Sequence, residues 1–168
     1  MIQFKFKEKV MEFKKGKIKG VKINKLQKYN DARGFLIENF RIDELPDKIK
    51  PEMSYISFTN PGISRGPHEH EHQTDVFSFV GPGDFSLKLW DNRKNSDTYN
   101  YHMEIIAGES NPVTVVIPPG VIHGYKNTSK EKMGMVLNFP DKLYKGWGKK
   151  EEVDEVRHEE DADSKFHL

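Results

Sequence analysis

The densest chemistry in the chain lies in Arg65-Gly66-Pro67-His68-Glu69-His70-Glu71-His72-Gln73-Thr74-Asp75. Read as an extended segment, it puts His68, His70 and His72 on one face and Glu69 and Glu71 on the other, because successive strand side chains alternate. A second segment, Pro118-Pro119-Gly120-Val121-Ile122-His123-Gly124-Tyr125-Lys126-Asn127, supplies a further histidine directly after an apolar run. Imidazole suits two kinds of work here. Its pKa lies near neutrality, so a positioned ring can remove a proton from carbon. Neutral rings beside a carboxylate also suit a divalent metal with open positions. A solvated His-Glu edge is the bland alternative. There is no cysteine, which excludes thiolate metal sites, a Cys nucleophile and a disulfide framework.

Such groups need a scaffold, and the surrounding sequence describes one. Short β-type runs recur at Ser54–Thr59, Asp75–Val80, Phe85–Trp90, Tyr101–Ile106, Val113–Ile117 and Gly134–Phe139, with turn-forming residues between them, as in Asn60-Pro61-Gly62 and Gly81-Pro82-Gly83. Many short strands at regular spacing predict an all-β sandwich or barrel. Helical signal is thin: one or two turns over Arg41–Lys50 before Pro51, and a short polar helix or plain acidic tail over Glu151–Glu160.

With 168 residues the chain is one domain's worth of sequence. Its 27 basic and 26 acidic side chains leave a net charge of +1, so no global field favours nucleic acid. Mean hydropathy is -0.77, and the apolar runs are too short for a membrane span or a signal peptide, which predicts a cytoplasmic protein without membrane contact. The apolar content of 35% is low for a lone globular domain, and a subunit interface would supply the missing burial. The ends carry opposite charge: ten lysines among residues 1–28, against eight acids and three bases among residues 149–163.

Gly62, His68, His70 and Asp75, followed by Pro118, Gly120, His123 and Asn127, resemble the ordered pair of cupin motifs, with Asp in place of the usual Glu. That resemblance implies a single cupin jelly-roll barrel spanning residues 1–168, with the basic segment 1–28 at a dimer interface, an acidic tail over 149–168, and His68, His70, Asp75 and His123 as candidate ligands of a divalent metal. A longer set of residues is similar to the dTDP-4-dehydrorhamnose 3,5-epimerase family of nucleotide-sugar enzymes: Asp31-Ala32-Arg33-Gly34-Phe35-Leu36-Ile37-Glu38, Arg65-Gly66-Pro67-His68, Asp91-Asn92-Arg93 with Ser96-Asp97-Thr98-Tyr99, and Ile117 to Tyr125.

This second resemblance implies a homodimer whose N-terminal strands cross to the partner, acting on a dTDP-sugar or another nucleotide sugar. His68 would be the base that removes a proton next to the sugar's 4-keto group, with a late acid, Asp161 or Asp154, as its partner. Arg33, Glu38 and Arg65 would bind the nucleotide, where a guanidinium fork fits phosphate, and Asp91, Arg93 and His123 would line the substrate site. Asp91 and Arg93 also read as a structural ion pair at a hairpin mouth. The family's usual Lys is replaced here by Asp75, its Tyr by Leu137, and the Gln after the base by His70. The leading expectation is therefore a nucleotide-sugar epimerase or isomerase of deoxysugar and cell-surface polysaccharide biosynthesis that requires no cofactor. A divalent-metal-dependent cupin enzyme and a non-catalytic sugar-nucleotide-binding barrel are the alternatives.

Overall fold

The computed structural model describes residues 12–46 and 48–168. Two antiparallel sheets face each other. One carries β1 (Lys14–Lys15), β9 (Tyr101–Gly108), β8 (Asp84–Asp91), β11 (Val121–Asn127), β6 (Ser64–Glu69) and β13 (Val156–Arg157) in that spatial order. The other carries β2 (Lys22–Lys25), β10 (Val113–Ile117), β7 (Asp75–Phe79), β12 (Gly134–Asn138) and β5 (Tyr55–Thr59). Among the described residues only β1 against β9 is parallel. The predicted all-β jelly-roll barrel is the fold found, and all six anticipated strands are present.

The alternation of β8 shows why the sheets close on each other. Phe85, Leu87 and Leu89 turn inward while Ser86 and Lys88 do not, and Phe77, Phe79, Val113, Val115, Ile117, Tyr125 and Val136 meet them in one core. β7 and β10 are buried throughout because Phe40, Leu45 and Ile49 lie over their outer face, packed on Val76 and Val116. The described residues of 39–49 form no helix. Leu45 N donates to Arg41 O and Ile49 N to Pro46 O as isolated turns, since Pro46 interrupts the helical ladder five residues before Pro51.

Two other differences from the sequence expectation concern the ends. Residues 149–168 are not a solvated acidic tail: β13 adds to the edge of β6, a single 3-10 turn follows at His158–Glu160, and Phe166 and Leu168 pack with Trp90, Ile122 and Phe13 on the outer face of the larger sheet. At the other end β1 and β2 complete this chain's own sheets, with Ile18 in the core; residues 1–11 lie outside the described ones. Among the described residues, the N-terminal element without a sheet neighbour is the hairpin of β3 (Lys28–Asp31) and β4 (Gly34–Ile37), which exposes Tyr29, Phe35 and Leu36. No helix among the described residues is long and apolar enough to cross a membrane.

The connection after β8 is tied by Asp91, only 1% exposed. Its carboxylate accepts from Arg93 Nε at 2.7 Å, from Ser96 Oγ at 2.6 Å and from Thr98 Oγ1 at 2.6 Å, while Arg93 also reaches the carbonyl of Lys19. The structural ion pair is thus the arrangement found, and it leaves the Asp91 carboxylate no free lone pair for a substrate. Burial pushes this carboxyl up, but Arg93 and the two hydroxyls outweigh it and hold it at about 2, against 3.8 in the unfolded chain. A depressed folded-state pKa contributes stability that is present above pH 3.8 and lost as pH falls through about 2. Urea unfolding measured across that window should show a loss on the order of 1–2 kcal/mol from this group, and Asp91→Asn should flatten that part of the profile; an unchanged slope would remove Asp91 as the titrating group.

Candidate functional site

The two histidine segments meet because β6 and β11 are neighbours, with His68 paired opposite His123. The register slips between His123 and Tyr125, and Gly66 makes the slip fit: its φ is +76°, and a Cβ there would stand 2.8 Å from the His123 carbonyl. The backbone N–H of Gly120 donates to His70 O, which joins the second turn to the first segment. Asp75 enters from the start of β7 on the opposite sheet. His68, His70, Asp75 and His123 therefore share the barrel mouth, with one potential ligand atom from each lying within 4.8 Å of the others.

His72 does not join them. Asp154 accepts the backbone N–H groups of Glu71, His72 and Gln73 at 2.8–2.9 Å, bending the chain after β6 so that the His72 side chain is 79% exposed. The strict alternation expected through His72 ends at this turn. On the outward face Glu69 receives Asn92 Nδ2 at 2.8 Å and meets His158 Nε2 at 2.9 Å.

The inward side chains are few and tightly placed. His68 is 15% exposed, and its ring centroid lies 4.4 Å from that of His123. Burial, then the neighbouring His123, lower its pKa, so the resting ring is neutral. Its Nδ1 faces Glu155 Oε1 at 3.8 Å, and Glu155 in turn pairs with Arg157 at 3.1 Å. Asp161 is elsewhere: it lies exposed past the 3-10 turn with its carboxylate on the N–H of Asp163. Glu155 is the acid that faces the ring, and Asp154 shapes the loop instead.

The Asp75 carboxyl is held well below the usual carboxylate range, since His123 and His70 outweigh the upward push of burial. His70 is drawn up to about 9 because Asp75 and the Asp154 carbonyl outweigh its burial. Phe77 lies beneath the cluster, its ring 5.6 Å from that of His123. From β12 it is Asn138 that turns inward, while its neighbour Leu137 does not. Asn138 Nδ2 donates both to Asp75 Oδ1 at 2.8 Å and to the Tyr55 hydroxyl at 2.9 Å.

Residues 15–147 match the dTDP-4-dehydrorhamnose 3,5-epimerase family. The chain belongs to that family. It is 38% identical over 129 residues, 76% of this chain and 81% of the other, to the probable low-salt glycan biosynthesis epimerase Agl13 of Haloferax volcanii. It is 38% identical over 109 residues, 65% of this chain and 71% of the other, to the spore coat polysaccharide biosynthesis protein SpsL of Bacillus subtilis. Among solved structures it is similar to a dTDP sugar isomerase from Desulfovibrio desulfuricans G20, with a TM-score of 0.75, 23% identity, and coverage of 89% of this chain and 91% of that one. Like other members of the epimerase family, the chain is an enzyme of the epimerase and isomerase class acting on nucleotide sugars.

The remaining family-signature residues of this epimerase-family chain are dispersed. Arg65 stands on β6 with its side chain on Thr59 Oγ1 at 2.9 Å and on the Phe58 carbonyl at 2.8 Å. Arg33 is at the tip of the β3–β4 hairpin, 90% exposed and paired with Asp31. Glu38 follows that hairpin and lines a groove with Asn24, Tyr29, Arg41 and Thr114, away from the histidines. Arg93, bound to Asp91, borders a cleft shared with His70, Gly120 and Val156. Sequence reasoning missed Tyr55, Gln73, Asn138 and Glu155. Alternation along β12 could have pointed to Asn138, but the other three depend on which strands pair.

Asp154 holds the C-terminal segment to this site through a charge-assisted bond to each of three backbone N–H groups. Asp154→Ala should lower the unfolding free energy by about 2–3 kcal/mol and open the segment to limited proteolysis beyond residue 150. Unchanged stability and protection would mean that Phe166 and Leu168 alone hold it.

Proposed function

We propose that the chain epimerises or isomerises a nucleotide sugar of the dTDP-4-keto-6-deoxyhexose type for a cell-surface polysaccharide, acting in the cytoplasm, by moving a proton at a carbon next to the ketone. The observation that carries this reading is His68: a neutral imidazole at the barrel mouth, set in the family's Arg-Gly-x-His pattern, with Glu155 facing its Nδ1. The ring takes the proton from carbon, the bond electrons pass to the keto oxygen as an enolate, and the nearby carboxylate stabilises the imidazolium so formed. The proton transfers need only side chains.

Tyr55 is the phenol placed to return a proton. Its hydroxyl oxygen accepts from Asn138 Nδ2 at 2.9 Å, so its O–H can donate, and a phenol is protonated at neutral pH. It occupies the role that Leu137 cannot fill. Arg65, with five guanidinium donors of which two are engaged, has donors left for a diphosphate.

Arg33 and Glu38 reach a substrate most simply from a second copy of the chain. An isolated two-stranded hairpin with Tyr29, Phe35 and Leu36 exposed is marginal by itself. At one edge of the smaller sheet, β5 exposes Ile56 and Phe58, an edge suited to pairing. A homodimer in which each hairpin covers the partner's β5 edge supports both features.

The test is turnover of a dTDP-4-keto-6-deoxyhexose by the purified protein, followed by nuclear magnetic resonance of the product. A new diastereomer or a shifted ketone is the expected result. Tight binding of the nucleotide sugar without any conversion would establish a binding barrel instead.

A further inference from the structure

We propose that Arg157 is a positioning residue for the reaction: it holds Glu155 so that the carboxylate faces His68 Nδ1, which keeps the ring's proton on Nδ1 and leaves Nε2 as the atom that takes the proton from carbon. The proposal rests on His68 being the base.

Strand pairing brings the three residues together. Arg157 lies directly opposite His68 where β13 adds to β6, and directly opposed residues share one face of a sheet. Glu155, two residues earlier, falls on that face as well. Val156 falls on the other, where it borders the cleft with Glu69, and His158 meets Glu69 at 2.9 Å. The order Glu-Val-Arg-His along this edge therefore sends an acid and a guanidinium to the base, while the other pair fastens the strand to β6.

The guanidinium is engaged on two sides. Its Nη2 and Nε donate to Glu155 Oε2 at 3.1 Å and 3.3 Å, and its Nη1 donates to Glu160 Oε1 at 3.2 Å. One fork thus ties the carboxylate to the 3-10 turn that follows, and the Glu155 oxygen it does not engage, Oε1, is the one 3.8 Å from His68 Nδ1. A planar fork fixes direction as well as distance. Glu155 is 16% exposed and Arg157 50%, so a side chain half in solvent holds the acid inward. The residue before Glu155 is fixed too, since Asp154 accepts from three backbone N–H groups.

The sign of the charge argues against a direct role on the ring. A cation beside an imidazole opposes formation of the imidazolium, so Arg157 acting alone would hinder the base. Through Glu155 the effect reverses. A carboxylate at Nδ1 selects the Nδ1–H tautomer and stabilises the charge that arrives with the substrate's proton. At 3.8 Å the pair is not a hydrogen bond, and a movement of about 1 Å as the ring is protonated makes it one.

The experiment has two parts. Nitrogen-15 magnetic resonance of the full-length protein labelled at histidine, with the His68 signals assigned from their loss in His68→Asn, reads the tautomer without any sugar. Wild type should carry the ring proton on Nδ1, and Arg157→Ala and Glu155→Gln should each shift the ring towards the other tautomer. A wild-type ring protonated at Nε2, or a tautomer unchanged in a folded Arg157→Ala, would overturn the proposal. Turnover of the keto sugar is the second part. Arg157→Ala should lower kcat about 10–100-fold, the scale of a misplacement of about 1 Å, with KM nearly unchanged. In a Glu155→Gln background the same substitution should cost nothing further, because residues that act through one another are not additive. Glu159→Gln, which removes an exposed charge from the same turn, should turn over like wild type. An additive loss, or a rise in KM at constant kcat, would make Arg157 a substrate contact and overturn the proposal. Should Arg157→Ala fold poorly, the tautomers of wild type and Glu155→Gln still decide. A wild type that converts no keto sugar fails the proton-transfer reading and leaves the tautomer to judge the clamp, whereas unchanged kcat in Arg157→Ala beside an active wild type fails the clamp alone.

Discussion

His68→Asn should lower kcat on the keto sugar by about 10²–10⁴-fold, the range removed with a positioned general base. KM should change little, because the ring's decisive interaction forms as the proton moves, not when the sugar binds. The fold should tolerate the change. The His68 side chain makes no hydrogen bond among the described residues, and Asn is smaller than the ring it replaces. Parallel urea curves for variant and wild type would therefore accompany the loss of turnover. A variant that keeps half the wild-type kcat would move His68 out of the reaction and leave it as packing against His123.

Phe77→Ala should be the most destabilising single change at the site, at about 3–5 kcal/mol. Phe77 is 2% exposed and touches Phe79, Tyr125 and His123 with ring centroids 5.6–6.1 Å apart. Truncation leaves a cavity under His123 that the sheets cannot close, since Phe77 is pinned between β10 and β12 by its strand pairing. A domain of this size has only about 5–15 kcal/mol to lose, so denaturant or thermal unfolding should register the change plainly. Phe77→Leu should recover most of the loss by filling much of the space. Equal stability of the alanine variant and the wild type would mean that the aromatic cluster is not the floor of the site.

The strands were legible where alternation and turn residues agree, as in β7, β8 and β10. Short edge strands were not: β1, β2 and β13 have two to four residues, are rich in charge, and exist only because a neighbouring strand offers its backbone. The turns after Arg41 are not the short helix that the sequence predicts, because their apolar residues, Leu45 and Ile49, follow the burial demands of the sheet beneath them and not a helical period. At the site, His68, His70, Asp75 and His123 could be found from residue type and spacing. Their partners could not. Glu155 reaches His68 through the pairing of β13 with β6, an event 85 or more residues away in the chain, and a run of mixed acids gives no sign of which one will face inward. The family resemblance points to Asp161 in that run, whereas the chain's own geometry puts it in solvent. His72 was lost to the inward set for a similar reason, since the bend imposed by Asp154 is a tertiary effect.

The central claim is that His68 moves a proton on carbon next to the ketone of a nucleotide sugar, and isotope wash-in reads that event directly. Wild type incubated with a dTDP-4-keto-6-deoxyhexose in deuterated water should place deuterium at a carbon adjacent to the ketone, at a rate at least 100-fold above that of His68→Asn. Equal wash-in by the two proteins, or product formed without any deuterium at those carbons, would contradict the account.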